Sequence, residues 1–157
     1  MSAYEPFSPE RAVEIIARHA DREGPLLPVL HDLLEAFGHV PDAAVPIVAG
    51  ALNRSRAEVH GVVTFYHDFR REPAGRRVLK LCRAEACQAR GGDAIAEQAQ
   101  ARLGVPIGAT TPDGAVTLEP TYCLGLCASG PAAMLDHRLV GRLDSNSLDA
   151  LLAEARA

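Results

Sequence analysis

Cys82, Cys87, Cys123 and Cys127 are the residues of this chain whose type and spacing could do chemistry. They are all the cysteines of the 157-residue sequence. They fall in two pairs: C-x4-C in LCRAEACQARGGD and C-x3-C in TYCLGLCASGPA, with 35 residues between the pairs. Two thiol pairs on short stretches could converge as four ligands on one metal centre. Three chemistries compete. A structural zinc site needs four thiolates at the corners of a tetrahedron, but zinc modules usually pair their cysteines as C-x2-C, and neither pair here does. A thiol–disulfide enzyme usually carries C-x-x-C at a helix start, which is absent. An iron–sulfur cluster accepts wider loops, because its thiolates surround a larger object. A [2Fe-2S] unit takes two thiolates per iron, four in all, and four cysteines meet that count with none left over. On spacing all three remain open.

The flanking residues bear on the same question. A [2Fe-2S] core with four thiolates is an anion, and reduction makes it more so. Backbone N–H groups donating to sulfur would offset that charge, and they need close approach of the chain. Gly91 and Gly92 after the first pair permit this, as does Gly125 inside the second. Simple turn geometry explains the same glycines equally well. The helix start after Gly92 would add the positive end of a dipole. Arg83 and Arg90 would help hold a reduced state, or are solvated surface.

Hydrophobic periodicity outlines the elements that must position these thiols. Ser8-Pro9-Glu10 reads as a helix start: an N-cap, a proline at the first position and an acid in the first turn. Ala12, Val13, Ile15, Ile16, His19 and Ala20 follow as one face. A second helix covers about Leu26 to Phe37, with Leu26, Val29, Leu30, Leu33, Leu34 and Phe37 inward and Gly38 as its left-handed stop. Pro41 opens a third through Val45, Val48, Ala49 and Leu52. Ser55 to Glu58 is a capping box for a fourth, carrying Val59, Val62, Val63 and Phe65. His31, His39, His60 and His67 are scattered over this region and form no ligand set.

Glu72-Pro73-Ala74-Gly75 marks a boundary, after which the period shortens to that of strands. Val78 to Leu81 is a strand running into Cys82, and Cys87 follows on a loop. A helix through Ile95, Ala99 and Leu103 ends at Gly104. Pro112-Asp113-Gly114 is a turn, Ala115 to Glu119 a strand, and Pro120 restricts its continuation. Cys123 and Cys127 lie on the next loop. Ala132–Leu135 and Leu139–Leu143 form a hairpin around His137-Arg138, and a last helix turns Leu148, Leu151, Leu152 and Ala155 inward. The fold class is α+β: a helical bundle over residues 1–72, then a βαβββα domain with a four-stranded sheet over 73–157.

Composition sets outer limits. The chain is 48% hydrophobic and 23% charged, which fits a globular core of aliphatic residues. The net charge of −4 hides a basic island over residues 68–90, with 7 basic and 3 acidic side chains. That island is either a solvated linker or a docking face for an acidic partner. Nucleic acid is not expected, because the chain is acidic and the island lacks interleaved aromatics. No apolar run is long enough for a bilayer, so no direct membrane insertion is expected. The first sixteen residues, MSAYEPFSPERAVEII, do not read as a signal peptide. Paired cysteines in the reducing, cytoplasmic compartment this implies point to metal or redox chemistry rather than disulfides.

Several strings together carry a resemblance. The C-x4-C and C-x3-C spacing, GGD after Cys87, LGVPIGATTPDG before the second strand, and CLGLC followed by Pro131 resemble the thioredoxin-like [2Fe-2S] ferredoxins, in particular the family of the 24-kDa subunit of respiratory complex I. LLPVLHDLLEAFGHVP and VHGVVTFY resemble its helical region. The resemblance implies a thioredoxin-like second domain and one [2Fe-2S] cluster on Cys82, Cys87, Cys123 and Cys127. It also implies a hetero-oligomer, no catalysis by the isolated chain, and electron transfer beside a flavin- and NADH-binding subunit that carries FMN and NAD. Family members occur in complex I, in NAD-linked hydrogenases and in NAD-dependent molybdenum formate dehydrogenases. CRAEACQA and CLGLCASGPAAMLD look most like the gamma subunit of the last group, whose catalytic subunit carries molybdopterin. Complex I members more often have Asn-Ala-Pro after the last cysteine, where this chain has Ser129-Gly130-Pro131.

Overall fold

Ser8 begins the first helix, α1 (Pro9–Ala17): its hydroxyl accepts the Arg11 N–H at 3.1 Å. The computed structural model describes residues 4–157, so the first three residues of the stretch read above for a signal peptide lie outside the described residues. The inward face of α1 is narrower than expected. Ala12, Ile15 and Ile16 are buried, but Val13 is 55% exposed and Ala20 lies beyond the helix on the surface. Val13 is one residue from Ala12, about 100° around the helix, and so falls off a face of three residues.

Helix α2 (Leu26–Phe37) has the expected bounds and ends on Gly38 at φ 73°. Only glycine takes that left-handed position without penalty. Helix α3 (Ala44–Ala51) starts later than Pro41, which lies in the preceding turn. The capping box of α4 (Arg56–Phe65) is present, with Ser55 accepting from the Glu58 N–H at 3.2 Å and Glu58 from the Ser55 N–H at 2.8 Å. Phe65, the last of the apolar residues on this helix, is 73% exposed, with its ring in edge contact with Tyr66. Val29, Leu30, Leu33, Phe37, Val48 and Val59 form the centre of this first core. Each such side chain contributes roughly 1.5–3 kcal/mol on full burial. The histidines brace this unit: His19 meets Asp32 at 2.8 Å, His31 packs its edge on Phe69, and His39 Nδ1 lies 2.9 Å from the Phe37 carbonyl.

The chain separates into two compact units, the first ending at Pro73 and the second running from Ala74 to Ala157. The second unit is a four-stranded sheet with helices. Its elements are β1 (Arg77–Cys82), a one-turn helix α5 (Glu85–Gln88), α6 (Gly92–Leu103), β2 (Val116–Thr121), a 3-10 turn (Cys127–Ser129), β3 (Ala133–Leu135), β4 (Arg138–Val140) and α7 (Ser145–Arg156). Strand order is β2-β1-β3-β4, with β1 parallel to β2 and antiparallel to β3. Strand β2 runs through Pro120, which sits opposite Leu81. An edge strand tolerates the missing N–H, so the proline does not stop it. Leu79, Leu81, Val116, Leu118 and Leu135 from the sheet meet Ile95, Ala99, Leu148 and Leu152 from α6 and α7. No helix among the described residues is long and apolar enough to cross a membrane.

Most of the basic island is met internally. Arg71 pairs with Asp42 at 2.8 Å, Arg77 with Asp136 at 2.7 Å and Arg83 with Asp93 at 2.9 Å. Lys80 lies 3.8 Å from Glu119. The four side chains so paired are less available to an acidic partner.

Candidate metal centre

Strand β1 delivers Cys82 at its last position, and α5 carries Cys87. Cys87 is therefore on a helical turn rather than the expected loop. Its N–H donates to the Ala84 carbonyl at 2.9 Å, which folds the six-residue segment from Cys82 to Cys87 back so that the two thiols influence one another. The second pair follows the edge strand β2. Cys123 takes φ 97°, a left-handed conformation costing a non-glycine residue on the order of 1–3 kcal/mol. Gly125, at φ 77°, turns its N–H back to Cys123 Sγ at 3.4 Å. Cys127 opens the 3-10 turn and brings its sulfur 3.7 Å from that of Cys123.

All four cysteines are free thiols, Cys82 and Cys87 buried and Cys123 and Cys127 exposed. The two pairs interlock. The Cys82 N–H donates to the Ala132 carbonyl at 2.9 Å and the Arg83 N–H to the Thr121 carbonyl at 2.7 Å, tying the first pair's segment to both ends of the second loop. The backbone N–H groups of Ala84, Cys123 and Leu124 favour the Cys82 thiolate. The Ala132 N–H, from the entry to β3, likewise favours the Cys87 thiolate. Ala132, Ala84, Leu124 and Leu126 pack around the buried pair and keep water from it.

These contacts move the thiols in different directions. Burial alone raises Cys82, but the Ala84 N–H, the Cys87 thiol and the N–H groups of Cys123 and Leu124 outweigh it, and the net shift is downward. Cys87 is raised, first by burial and then by the neighbouring Cys82 thiol. Cys127 is raised by its hydrogen bond and charge repulsion with Cys123. N–H groups aimed at sulfur favour thiolate over thiol, which is what a metal ligand requires.

The donor set fits a [2Fe-2S] cluster. Two thiolates on a tetrahedral metal about 2.3 Å away sit roughly 3.8 Å apart, close to the 3.7 Å between Cys123 and Cys127. The four sulfurs are presented as two pairs. A [2Fe-2S] unit takes two thiolates on each of its two irons, and two pairs meet that demand. The buried Arg83 Nε also lacks an acceptor, a deficit that a sulfur-rich anion beside Cys82 could fill.

Some of this was outside the reach of sequence reasoning. The glycines flanking the thiols do different things: Gly125 supplies an N–H to sulfur, whereas Gly92 makes room for the Cys87 backbone. Gly130 leaves space for Cys87 itself, since a Cβ there would stand 3.2 Å from Cys87 Sγ. The spacing of Gly130, three residues after Cys127, was the available signal.

A mixed four-stranded sheet flanked by helices, with two thiol pairs at one end, defines a thioredoxin-like protein built for a metal–sulfur centre. The sequence profile of the thioredoxin-like [2Fe-2S] ferredoxins matches residues 12–156, and the chain belongs to that family. The cofactor that goes with the family is one [2Fe-2S] cluster. The chain is 38% identical over 141 residues to a subunit of the NADH-quinone oxidoreductase of Rhizobium meliloti, covering 90% of this chain and 84% of that protein. It is 32% identical over 142 residues to the HndA subunit of the NADP-reducing hydrogenase of Solidesulfovibrio fructosivorans, covering 90% and 83%. A crystal structure of an NAD+-reducing [NiFe]-hydrogenase in the H2-reduced state superposes with a TM-score of 0.71 at 26% identity over 84% of this chain. The match spans only 22% of that hydrogenase chain's length.

Proposed function

We propose that Cys82, Cys87, Cys123 and Cys127 hold one [2Fe-2S] cluster, and that this protein is the iron–sulfur electron-transfer subunit of an NAD-linked, cytoplasmic oxidoreductase complex. The observation that carries the ligand assignment is the interlocking of the two cysteine segments: the Cys82 N–H donates to the Ala132 carbonyl at 2.9 Å, the Arg83 N–H to the Thr121 carbonyl at 2.7 Å, and a Cβ on Gly130 would stand 3.2 Å from Cys87 Sγ. Bound there, the cluster would supply single-electron transfer to or from a flavin on a neighbouring subunit, which in turn exchanges hydride with NAD. The residues of this chain hold and shield it. Cys82 and Cys87 anchor its buried side, Leu124 and Leu126 limit water, and the exposed Cys123 and Cys127 turn its other side toward a partner. All four ligands being thiolate, hydrogen bonds, charge and exposure are the means left for setting its potential.

The parent complex we favour is a soluble NAD-dependent molybdenum formate dehydrogenase. Support comes from CRAEACQA, CLGLCASGPAAMLD and the Ser129-Gly130-Pro131 ending of the second loop. The names of the relatives favour a second reading, the corresponding component of NADH-quinone oxidoreductase or of an NAD(P)-linked hydrogenase. Within the chain we take residues 1–72 as a supporting helical domain and 73–157 as the cluster domain.

Affinity purification of the tagged chain from its own cell separates these readings. Co-purification of a flavin subunit and a molybdenum subunit, with formate-dependent NAD+ reduction, supports the first. Co-purified NADH:quinone or hydrogenase activity without formate turnover supports the second. Reconstituted protein should hold two irons and two acid-labile sulfides and give a rhombic EPR signal after dithionite. One zinc and no EPR signal would overturn the cluster assignment.

A further inference from the structure

One arginine lies inside the first cysteine pair and another three residues after it, and their surroundings separate them. Arg83 sets a guanidinium nitrogen 2.9 Å from Asp93 Oδ1, so a carboxylate on the first turn of α6 offsets its charge. Arg90 makes no ion pair among the described residues. Its Nε–H donates to the Gly130 carbonyl at 2.9 Å.

That contact bridges the two ligand segments. Arg90 lies three residues after Cys87, and Gly130 three residues after Cys127. The approach is tight: a Cβ placed on Gly130 would stand 3.2 Å from Cys87 Sγ and 3.5 Å from Arg90 Cδ. The arginine side chain and the cysteine sulfur therefore lie on the same small patch of the second loop.

Charge gives the contact a second consequence. Four thiolates around a [2Fe-2S] core carry two net negative charges when oxidised and three after one electron is added. A nearby positive charge stabilises the more negative form more. The guanidinium is permanently charged, and at Arg90, unlike Arg83, no carboxylate cancels it.

We propose that Arg90 is a positioning residue for the cluster site. It latches the segment behind Cys127 onto the segment behind Cys87, and its uncompensated charge favours the reduced state. The proposal rests on the assignment of the four cysteines as ligands.

The test uses the full chain with Arg90→Gln and Arg90→Lys, each reconstituted with iron and sulfide. Midpoint potential is read by EPR-monitored titration with dithionite as electron donor, and cluster loss by transfer of iron to a chelator. Arg90→Gln should titrate at a more negative potential than wild type, with the gap narrowing as salt is raised, because the charge is exposed to screening. Arg90→Lys should return the potential toward wild type. Both variants should lose iron faster, since neither places an N–H in the guanidinium's planar geometry. An Arg90→Gln protein at the wild-type potential overturns the tuning role, and unchanged iron loss in both variants overturns the latch. Should Arg90→Gln fail to keep a cluster, Arg90→Lys decides: a potential well below wild type, despite the retained charge, overturns the charge argument. Wild-type protein that takes up zinc and gives no EPR signal overturns the ligand assignment and this proposal together. A normal wild-type cluster with unresponsive Arg90 variants strikes Arg90 alone.

Discussion

The carbonyl oxygen of Cys87 lies 2.7 Å from the point where a side chain on Gly92 would begin, and its carbonyl carbon 2.9 Å. The atoms in the way are backbone, so a methyl group there cannot be accommodated by a side-chain rotation. Gly91, one residue earlier, is the opposite case: it has φ 89° and nothing within 4 Å of its virtual Cβ. Gly92→Ala should push the α5 turn and lower iron and sulfide per chain. Gly91→Ala should cost about 1–2 kcal/mol of left-handed strain while leaving cluster content near wild type. Metal and sulfide analysis beside urea unfolding checks both, and equal iron in the two variants would count against this role for Gly92.

Replacing Cys87 by serine removes a buried thiol. The hydroxyl is a harder and less easily ionised donor. The cluster's visible absorption and EPR signal should change or be lost. The helices of the first unit share no cysteine, so far-UV circular dichroism should retain their signal. A Cys87→Ser protein with an unaltered cluster spectrum and redox behaviour would remove Cys87 from the ligand set.

Much of this arrangement was legible in the sequence, because it rests on local rules. The caps at Ser8 and Ser55, the stops at Gly38 and Gly104 and the inward face of α7 all depend on residues within one or two turns. What was not legible depends on distant neighbours. Val13 and Phe65 have core-like side chains, and only the packing of α1 and α4 leaves them exposed. Pro120 reads as a breaker until β2 is known to be an edge strand. Pairing of the basic island with Asp42, Asp136 and Asp93 likewise joins residues up to 59 apart, and no local pattern announces it.

Leu148 and Val13 turn that contrast into a measurement. Leu148 is fully buried between α7 and the sheet, whereas Val13 is 55% exposed. Leu148→Ala should destabilise the second unit by about 2–5 kcal/mol through lost burial and a residual cavity. Val13→Ala should change stability by no more than about 0.5 kcal/mol. Chemical denaturation of each variant provides the comparison. A large loss at Val13 would mean that the outward face of α1 is covered by something else.

Acid stability should depend in part on the cap of α7. The Asp144 carboxylate accepts the Ser147 N–H at 2.8 Å and the Ser147 hydroxyl at 2.7 Å. The backbone bond first, and then the hydroxyl, hold its pKa below the ordinary carboxylate range. A folded-state pKa below the unfolded value means that the folded state binds its proton less readily. The cap's contribution is thus complete above the unfolded value, near ~4, and fades as pH falls through the folded one. Asparagine at this position keeps a capping oxygen but does not titrate. The charged form also meets the positive end of the helix dipole, so wild type should be the more stable protein at neutral pH. Its advantage over Asp144→Asn should stay flat down to about pH 5 and then shrink on further acidification, as aspartate protonates. Urea midpoints of both proteins measured across this range check the expectation. An advantage that holds constant into strong acid would show that ionisation of Asp144 is not linked to folding.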